Sequence, residues 1–76
     1  MSYIIYSKDN CIFCDKAKDL LKRQAKEFIE YKLDKDFDRD TLLDLFPQAR
    51  SFPVITLDKE YLGGYNELCK SLNVKE

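Results

Sequence analysis

Residues Tyr3–Cys14 read YIIYSKDNCIFC, and they are the most informative part of the chain for its fold. Tyr3 to Ser7 is a β-branched and aromatic run of strand length, apolar almost throughout, as expected of a strand buried on both faces. The residues Ser7-Lys8-Asp9-Asn10 are typical of a turn. Cys11 and Cys14 then stand where a helical pattern begins. This stretch therefore predicts a strand, a turn and a helix that starts with a C-x-x-C motif.

The residues that follow complete a βαβ unit. Apolar residues recur at helical spacing and predict the first helix; the series is Phe13, Ala17, Leu20, Leu21, Gln24 and Phe28. Ile29, Tyr31 and Leu33 then alternate with charged residues, which predicts a second strand. Because the chain connects these two strands through a helix, we expect them to be parallel with a right-handed crossover.

The second half of the chain predicts a helix, two strands and a last helix. Asp38 or Asp40 can cap a short helix that ends near Pro47, with its apolar residues at Leu42, Leu43, Leu45 and Phe46. The next elements are a strand, a two-residue turn and a strand, at Val54 to Leu57, Asp58-Lys59 and Glu60 to Leu62. Gly63-Gly64 ends the last strand, and Asn66 is expected to help cap a helix whose buried face carries Tyr65, Leu68, Cys69 and Leu72. The order βαβ-α-ββ-α predicts an α/β fold, a four-stranded mixed sheet flanked by three helices.

Length and composition narrow the class of protein. The chain has 76 residues, which predicts a single domain over residues 1–76. Thirteen basic residues against 14 acidic ones give a net charge of −1, without the basic excess of a nucleic-acid-binding protein. No apolar run approaches the roughly 18 residues of a membrane span, and the first residues lack a signal-peptide pattern. We therefore expect a cytoplasmic protein with no nucleic-acid or membrane partner.

The C-x-x-C pair allows three interpretations. An intramolecular metal site would need more ligands, and the chain has no His and only one further Cys. A structural disulfide that closes so small a loop would constrain the unfolded chain little. A redox dithiol is favoured, because C-x-x-C beside a βαβ pattern is a redox signature and close cysteine pairs in a reducing compartment are usually catalytic or metal-binding.

The spacing gives the two cysteines different roles. Cys11 is expected at the N-terminal end of the first helix, where unpaired N–H groups and the helix dipole stabilise an anion. C-x-x-C thiols in such settings have pKa values of about 3.5–7.5, and Lys8 adds a positive charge. Cys14 lies one turn later on the same helix face, within disulfide reach. Cys11 is therefore the predicted nucleophile and Cys14 the thiol that resolves the mixed disulfide.

Two other features are expected to be structural. Cys69 shares a helix face with Leu68 and Leu72 and is predicted to fill the core. The run Asp34-x-Asp36-x-Asp38 resembles the start of a calcium loop, but the match fails at its sixth and twelfth positions. We interpret this run as a solvated acidic linker.

Three motifs, taken together, carry a family resemblance. They are Ser7-Lys8 before Cys11-Ile12-Phe13-Cys14, then Ser51-Phe52-Pro53-Val54-Ile55, then Leu62-Gly63-Gly64-Tyr65-Asn66-Glu67-Leu68. In this order and spacing, over the whole chain, they resemble the glutaredoxins of the thioredoxin superfamily. The resemblance implies a thioredoxin-like fold and a monomeric, glutathione-dependent oxidoreductase that reduces protein disulfides and glutathione mixed disulfides. Glutathione would be a co-substrate, no cofactor or metal would be bound, and ribonucleotide reductase is a candidate client.

The resemblance also assigns activating or substrate-binding roles, to Lys8, Phe13, Phe52, Pro53, Gly64, Tyr65 and Asn66. It implies that Phe52-Pro53 is cis and faces Cys11, with the backbone of Phe52 pairing with the cysteinyl backbone of glutathione. The amides of Tyr65 and Asn66, which follow Gly64, would meet the γ-glutamyl carboxylate. Lys8 would attract the glycyl carboxylate, with Gln48 or Arg50 as candidate helpers.

The chain departs from the usual pattern of that family at four places. The family motif is C-P-Y-C. Between the two cysteines of this chain, Ile12 replaces Pro and Phe13 replaces Tyr. Phe52 replaces a smaller β-branched residue, and Asn66 stands where the family often has Asp. Two other functions stay open: a glutaredoxin-like redoxin reduced by thioredoxin reductase, and a carrier of an iron–sulfur cluster held between two chains by Cys11 and glutathione.

Overall fold

Strands and helices follow one another in the predicted order. In a computed structural model that describes residues 2–49 and 51–73, the elements are β1 (Tyr3–Ser7), α1 (Ile12–Arg23), β2 (Phe28–Lys32), α2 (Arg39–Leu45), β3 (Val54–Leu57), β4 (Glu60–Gly63) and α3 (Tyr65–Ser71). The predicted α/β fold class is therefore confirmed. No helix within the described residues is long and apolar enough to span a bilayer.

The four strands form one mixed sheet in the order β2-β1-β3-β4. β1 is parallel to β2, from the pair Tyr3 and Phe28 to the pair Ser7 and Lys32. β3 is antiparallel to both β1 and β4. The parallel pair with α1 as its connection is the predicted βαβ unit. β1 is a central strand and ends at Ser7. The loop to Cys11 therefore leaves the sheet at the end where β1 and β2 have their carboxyl ends, near the middle of the sheet.

Each face of the sheet has its own core. The face under α1 and α3 carries the larger one, made of Tyr3, Ile5, Ala17, Leu20, Leu21, Ile55, Tyr65, Leu68 and Cys69. The opposite face packs against α2, and its core is Leu42, Ala49 and Val54 with a fringe of aromatic residues. Cys69 lies in the first of these cores as a free, buried thiol, which confirms its predicted packing role.

The first helix ends earlier than its apolar series predicts. Phe28 belongs to β2, because the chain turns out of the helix after Arg23. Ala25 has a φ of 56°, and the Lys26 N–H donates to the Leu21 carbonyl at 2.9 Å. This is the Schellman termination of a helix, here without the glycine that usually marks it in a sequence.

The apolar residues that alternate along β2 lie on the sheet face opposite α1. Ile29 keeps 53 % of its surface exposed and Tyr31 is also exposed, whereas Phe28 and Glu30 are half-buried on the α1 side. Leu33 lies beyond the strand and forms a single bridge with Phe37. β2 is an edge strand, so Ile29 and Tyr31 lie at the border of that sheet face.

The β3–β4 hairpin confirms the predicted turn, but the cap of α3 was predicted wrongly. Asp58 and Lys59 both have positive φ, 52° and 72°, as a two-residue type I′ turn requires. The N-cap of α3 is Gly64, and Asn66 lies exposed within the first helical turn. The Glu67 carboxylate accepts the Gly64 N–H at 2.8 Å, so an acid inside the helix supplies the polar contact expected from Asn66.

Candidate active site

Cys11 is the N-cap of α1, as the sequence predicts. Asn10 before it has a φ of 56°, and Cys11 itself is extended, with φ −121° and ψ 102°. The Cys14 N–H donates to the Cys11 Sγ at 3.2 Å. An amide that has no partner inside the helix thus points at the sulfur, where it stabilises a thiolate.

The two cysteines form a disulfide and differ in access. Cys11 and Cys14 are bonded to each other, with their Cα atoms 5.2 Å apart. Cys14 is 1 % exposed, whereas Cys11 is half-buried at the start of the helix. A substrate can therefore reach Cys11 directly, whereas Cys14 lies on the protein side of that sulfur.

Cys11 opens onto a cavity of about 490 Å³. Among the described residues, its lining is mostly apolar and includes two cations but no carboxylate; these residues are Lys8, Asn10, Cys11, Ile12, Phe13, Arg39, Leu42, Leu43, Ala49, Ser51, Phe52 and Val54. The structure thus brings the predicted residues Lys8, Phe13 and Phe52 together with Cys11. An anionic substrate matches the charge of this lining.

Arg39 is a charged cavity residue that no pattern in the sequence predicted. It is the first residue of α2, directly after Asp38, whose carboxylate accepts the Thr41 N–H at 2.8 Å. Hydrogen bonding to the Thr41 side chain, and then to the Thr41 N–H, lowers the pKa of Asp38, and the N–H contact fixes the start of α2. The capping motif was visible in the sequence, but the direction of the following side chain depends on how α2 packs on the sheet. Gln48 does not line the cavity, and Arg50 lies outside the described residues.

Lys8 and Phe52 contact each other at the cavity. The Lys8 ammonium lies 5.6 Å from the centre of the Phe52 ring, within the range of a cation–π contact. The Phe37 ring lies 6.4 Å from the Phe52 ring. The Phe52-Pro53 peptide bond is cis, as the resemblance implied, and Pro53 is buried.

The N-terminal end of α3 lies next to the first turn of α1, which follows Cys11 and carries Cys14. The Phe13 and Tyr65 rings have centroids 5.8 Å apart. A Cβ atom on Gly64 would lie 3.4 Å from the Pro53 carbonyl oxygen, so the backbone passes close to that loop. Gly64, Tyr65 and Asn66 do not line the cavity, and their part in binding stays a prediction.

A polar cluster lies behind the site between α1 and the sheet. The Glu30 carboxylate accepts a hydrogen bond from the Ser7 hydroxyl at 2.7 Å and pairs with the Lys18 ammonium at 2.9 Å. Partial burial raises the pKa of Glu30, but the hydrogen bonds from Lys18 and Ser7 outweigh it and lower the pKa below its ordinary value. The hydrogen bond to Glu30 raises the pKa of Lys18. The cluster joins α1, one turn after Cys14, to β1 and β2.

In the acidic run between β2 and α2, two carboxylates accept hydrogen bonds from backbone N–H groups. The Asp36 carboxylate accepts the Lys32 N–H at 2.9 Å, and Asp38 caps α2. Within residues 2–49 and 51–73, no group of three or more potential metal ligands comes together.

Comparison with known proteins identifies the family. The sequence model of the glutaredoxin family matches residues 3–62, which is most of the chain. The chain belongs to the glutaredoxin family. A probable glutaredoxin from Synechocystis is 37 % identical over 65 residues, covering 84 % of this chain and 74 % of that protein.

Solved glutaredoxins share the fold. Glutaredoxin 1 from Francisella tularensis, solved with cacodylate, superimposes with a TM-score of 0.81 at 25 % identity, covering 95 % of this chain and 92 % of that one. A buckwheat glutaredoxin–glutathione complex has a TM-score of 0.79 at 23 % identity, covering 93 % and 67 %. With the Cys11–Cys14 pair at the head of α1, this glutaredoxin is a thiol–disulfide oxidoreductase.

Proposed function

We propose that this glutaredoxin uses glutathione to reduce protein disulfides and glutathione mixed disulfides in the cytoplasm, as a monomer. The observation that carries the proposal is the cavity in front of Cys11, which the cationic residues Lys8 and Arg39 also line. Glutathione has two carboxylates and a thiol, so it brings negative charge and the reacting sulfur in one molecule. Ribonucleotide reductase is a candidate client.

One enzyme thiol is sufficient for a glutathione mixed disulfide. The Cys11 thiolate attacks the glutathione sulfur, the client leaves as a thiolate, and Cys11 holds the glutathione as a mixed disulfide. The thiolate of a second glutathione then attacks the bound glutathione sulfur. Oxidised glutathione leaves, and Cys11 is again a thiolate.

Reduction of a protein disulfide uses both thiols. Cys11 attacks one sulfur of the client and becomes covalently bound to it, while the other client sulfur leaves as a thiolate. Cys14 then attacks the Cys11 sulfur, releases the reduced client and forms the Cys11–Cys14 disulfide. Two molecules of glutathione reduce this disulfide and leave as one molecule of oxidised glutathione. The placement of Cys14 behind Cys11 supports this second step.

Two further observations support glutathione as the electron donor. The buckwheat glutaredoxin with the same fold was solved as a complex with glutathione. In this chain, the start of α3 lies next to the first turn of α1. The Tyr65 ring contacts the Phe13 ring, and Gly64 lies close to the Pro53 carbonyl. We propose that the amides of Tyr65 and Asn66 there receive the γ-glutamyl carboxylate, and that Lys8 receives the glycyl carboxylate.

The test is turnover of a glutathione mixed disulfide, coupled in parallel to glutathione reductase and to thioredoxin reductase. We expect rapid NADPH oxidation with glutathione and glutathione reductase, and little with thioredoxin reductase. The reverse pattern would contradict the proposal and support the redoxin alternative. Purification without oxygen as a coloured, absorbing dimer would instead support the cluster-carrier alternative, in which Cys11 is a ligand.

A further inference from the structure

The contact between Lys8 and Phe52 carries a further inference about substrate selection. Lysine is flexible, and confining its ammonium to one place has an entropic cost. A charge that is already held near its binding position loses less freedom when the substrate arrives.

Among the residues that the structure describes, no carboxylate pairs with the Lys8 ammonium. Within residues 2–49 and 51–73, the ion pairs involve other lysines and Arg23, and none includes Lys8. The ammonium lies instead over the Phe52 ring, 5.6 Å from its centre. An aromatic face attracts the ammonium without neutralising it, so the full positive charge stays available to a substrate.

The Phe52 ring is itself held from behind. Phe37 packs against it at 6.4 Å, and Tyr6 meets Phe37 edge-on at 5.3 Å. These rings belong to the core between α2 and the sheet. On the other side, the backbone before Lys8 is fixed because Ser7 is buried and hydrogen-bonded to Glu30. Both ends of the contact are thus anchored in the fold.

We propose that Phe52 is a positioning residue that holds the Lys8 ammonium at the mouth of the Cys11 cavity, and that this gives Cys11 its preference for substrates that carry a carboxylate. Phe52 acts through Lys8 and does not itself touch the reacting sulfurs. Where the substrate is glutathione, the inference rests on the proposed function. The positioning of the Lys8 charge by Phe52 does not depend on that function. A leucine at this position would keep apolar bulk but remove the aromatic face.

The experiment compares two alkylating reagents on reduced Cys11 at low ionic strength, with the product mapped by mass spectrometry. Iodoacetate is an anion and iodoacetamide is neutral, and both react with the same thiolate. The ratio of their rate constants therefore cancels the thiolate fraction and reports the positive charge near Cys11. It requires no glutathione, so its outcome is independent of the turnover test of the proposed function.

Four proteins form a double-mutant cycle: the wild type, Lys8→Met, Phe52→Leu and the double variant. We expect Phe52→Leu to lower the iodoacetate to iodoacetamide ratio by about two- to fivefold, the size of an exposed cation–π contact. In the Lys8→Met background the same change should have no effect. Phe52→Tyr, which keeps the aromatic face, should retain the wild-type ratio.

Two outcomes would overturn the inference. One is a wild-type ratio in Phe52→Leu, and the other is an equal fall of the ratio with and without Lys8. Circular dichroism and urea unfolding check that each variant is folded. If Phe52→Leu does not fold, Phe52→Met replaces it, because methionine is apolar, of similar bulk and adaptable in packing.

Discussion

The ammonium of Lys18 lies 2.9 Å from the carboxylate of Glu30, and this pair joins α1 to the edge strand β2. Both side chains are half-buried, with 22 % and 25 % of their surfaces exposed. The same Glu30 oxygen also accepts the Ser7 hydroxyl, at the end of the strand from which the active-site loop leaves. The pair therefore contributes to holding the helix that carries both cysteines on the sheet.

We predict that Glu30→Gln lowers the free energy of unfolding by about 1–2 kcal/mol at pH 7, since it removes a charged partner from a partly buried contact. Because the folded-state pKa of Glu30 is below its ordinary value of 4.5, the pair stabilises fully above that pH. The stabilisation is lost as the pH falls through the lowered pKa. Urea unfolding of both proteins across this range measures the difference.

The matched control is Asp19→Asn. Asp19 pairs with Arg23 at 3.0 Å on the open face of α1, where 65 % of the aspartate side chain is exposed. Its loss should reduce stability by only about 0.3–0.5 kcal/mol. Equal effects of the two substitutions, or a Glu30→Gln effect that does not shrink at low pH, would remove the special role of the Lys18–Glu30 pair.

The reactivity of the three cysteines should differ strongly in the reduced protein. At pH 6 we expect Cys11 to be alkylated far faster than Cys14 or Cys69, because a helix-start amide favours its thiolate and the other two thiols are buried. Time-resolved mass mapping with limiting iodoacetamide measures the order. Labelling of Cys14 before Cys11 would reverse their assigned roles.

Local patterns predicted much of the fold and the central part of the site. The β1 run, the Asp58-Lys59 turn and the C-x-x-C motif each depend on residues close together in sequence, and each was confirmed. The predicted end of the first helix was wrong, because the pattern there fits both a helix and a strand. Phe28 continues the helical series, but a Schellman turn at Ala25 ends the helix first.

Two other misses come from tertiary packing, and one comes from a local helix cap. Arg39 lines the cavity because of how α2 lies on the sheet, and no local pattern encodes that direction. The ring of Phe52 meets Lys8 although 44 positions separate them in the chain. The Glu67 side chain caps α3 through Gly64, so Asn66 is not needed for that role.

Gly63 provides a test of the junction between β4 and α3. It has a φ of +134°, and a Cβ atom there would lie 2.5 Å from Glu67 Cγ and 2.7 Å from its Oε1. Gly63→Ala should therefore destabilise the protein by about 1–3 kcal/mol, through backbone strain and displacement of the capping carboxylate. Urea unfolding midpoints measure this loss.

Gly64→Ala is the comparison for that variant. The nearest atom to a Cβ on Gly64 is the Pro53 carbonyl oxygen at 3.4 Å, and the φ of Gly64 is negative, at −103°. We expect a loss below about 1 kcal/mol, from the weaker N-cap preference of alanine. A larger loss in Gly64→Ala than in Gly63→Ala would show that the strain lies elsewhere.

The central claim is that Cys11 is the nucleophile and Cys14 resolves protein mixed disulfides in a glutathione-dependent cycle. Its most direct test compares Cys14→Ser and Cys11→Ser on one glutathionylated and one disulfide-bonded protein at equal glutathione. Cys14→Ser should keep much of its activity on the first substrate and lose most on the second, because release of a tethered client benefits from an intramolecular thiol. Cys11→Ser should lose both activities. Loss of both in Cys14→Ser would contradict the glutathione mechanism.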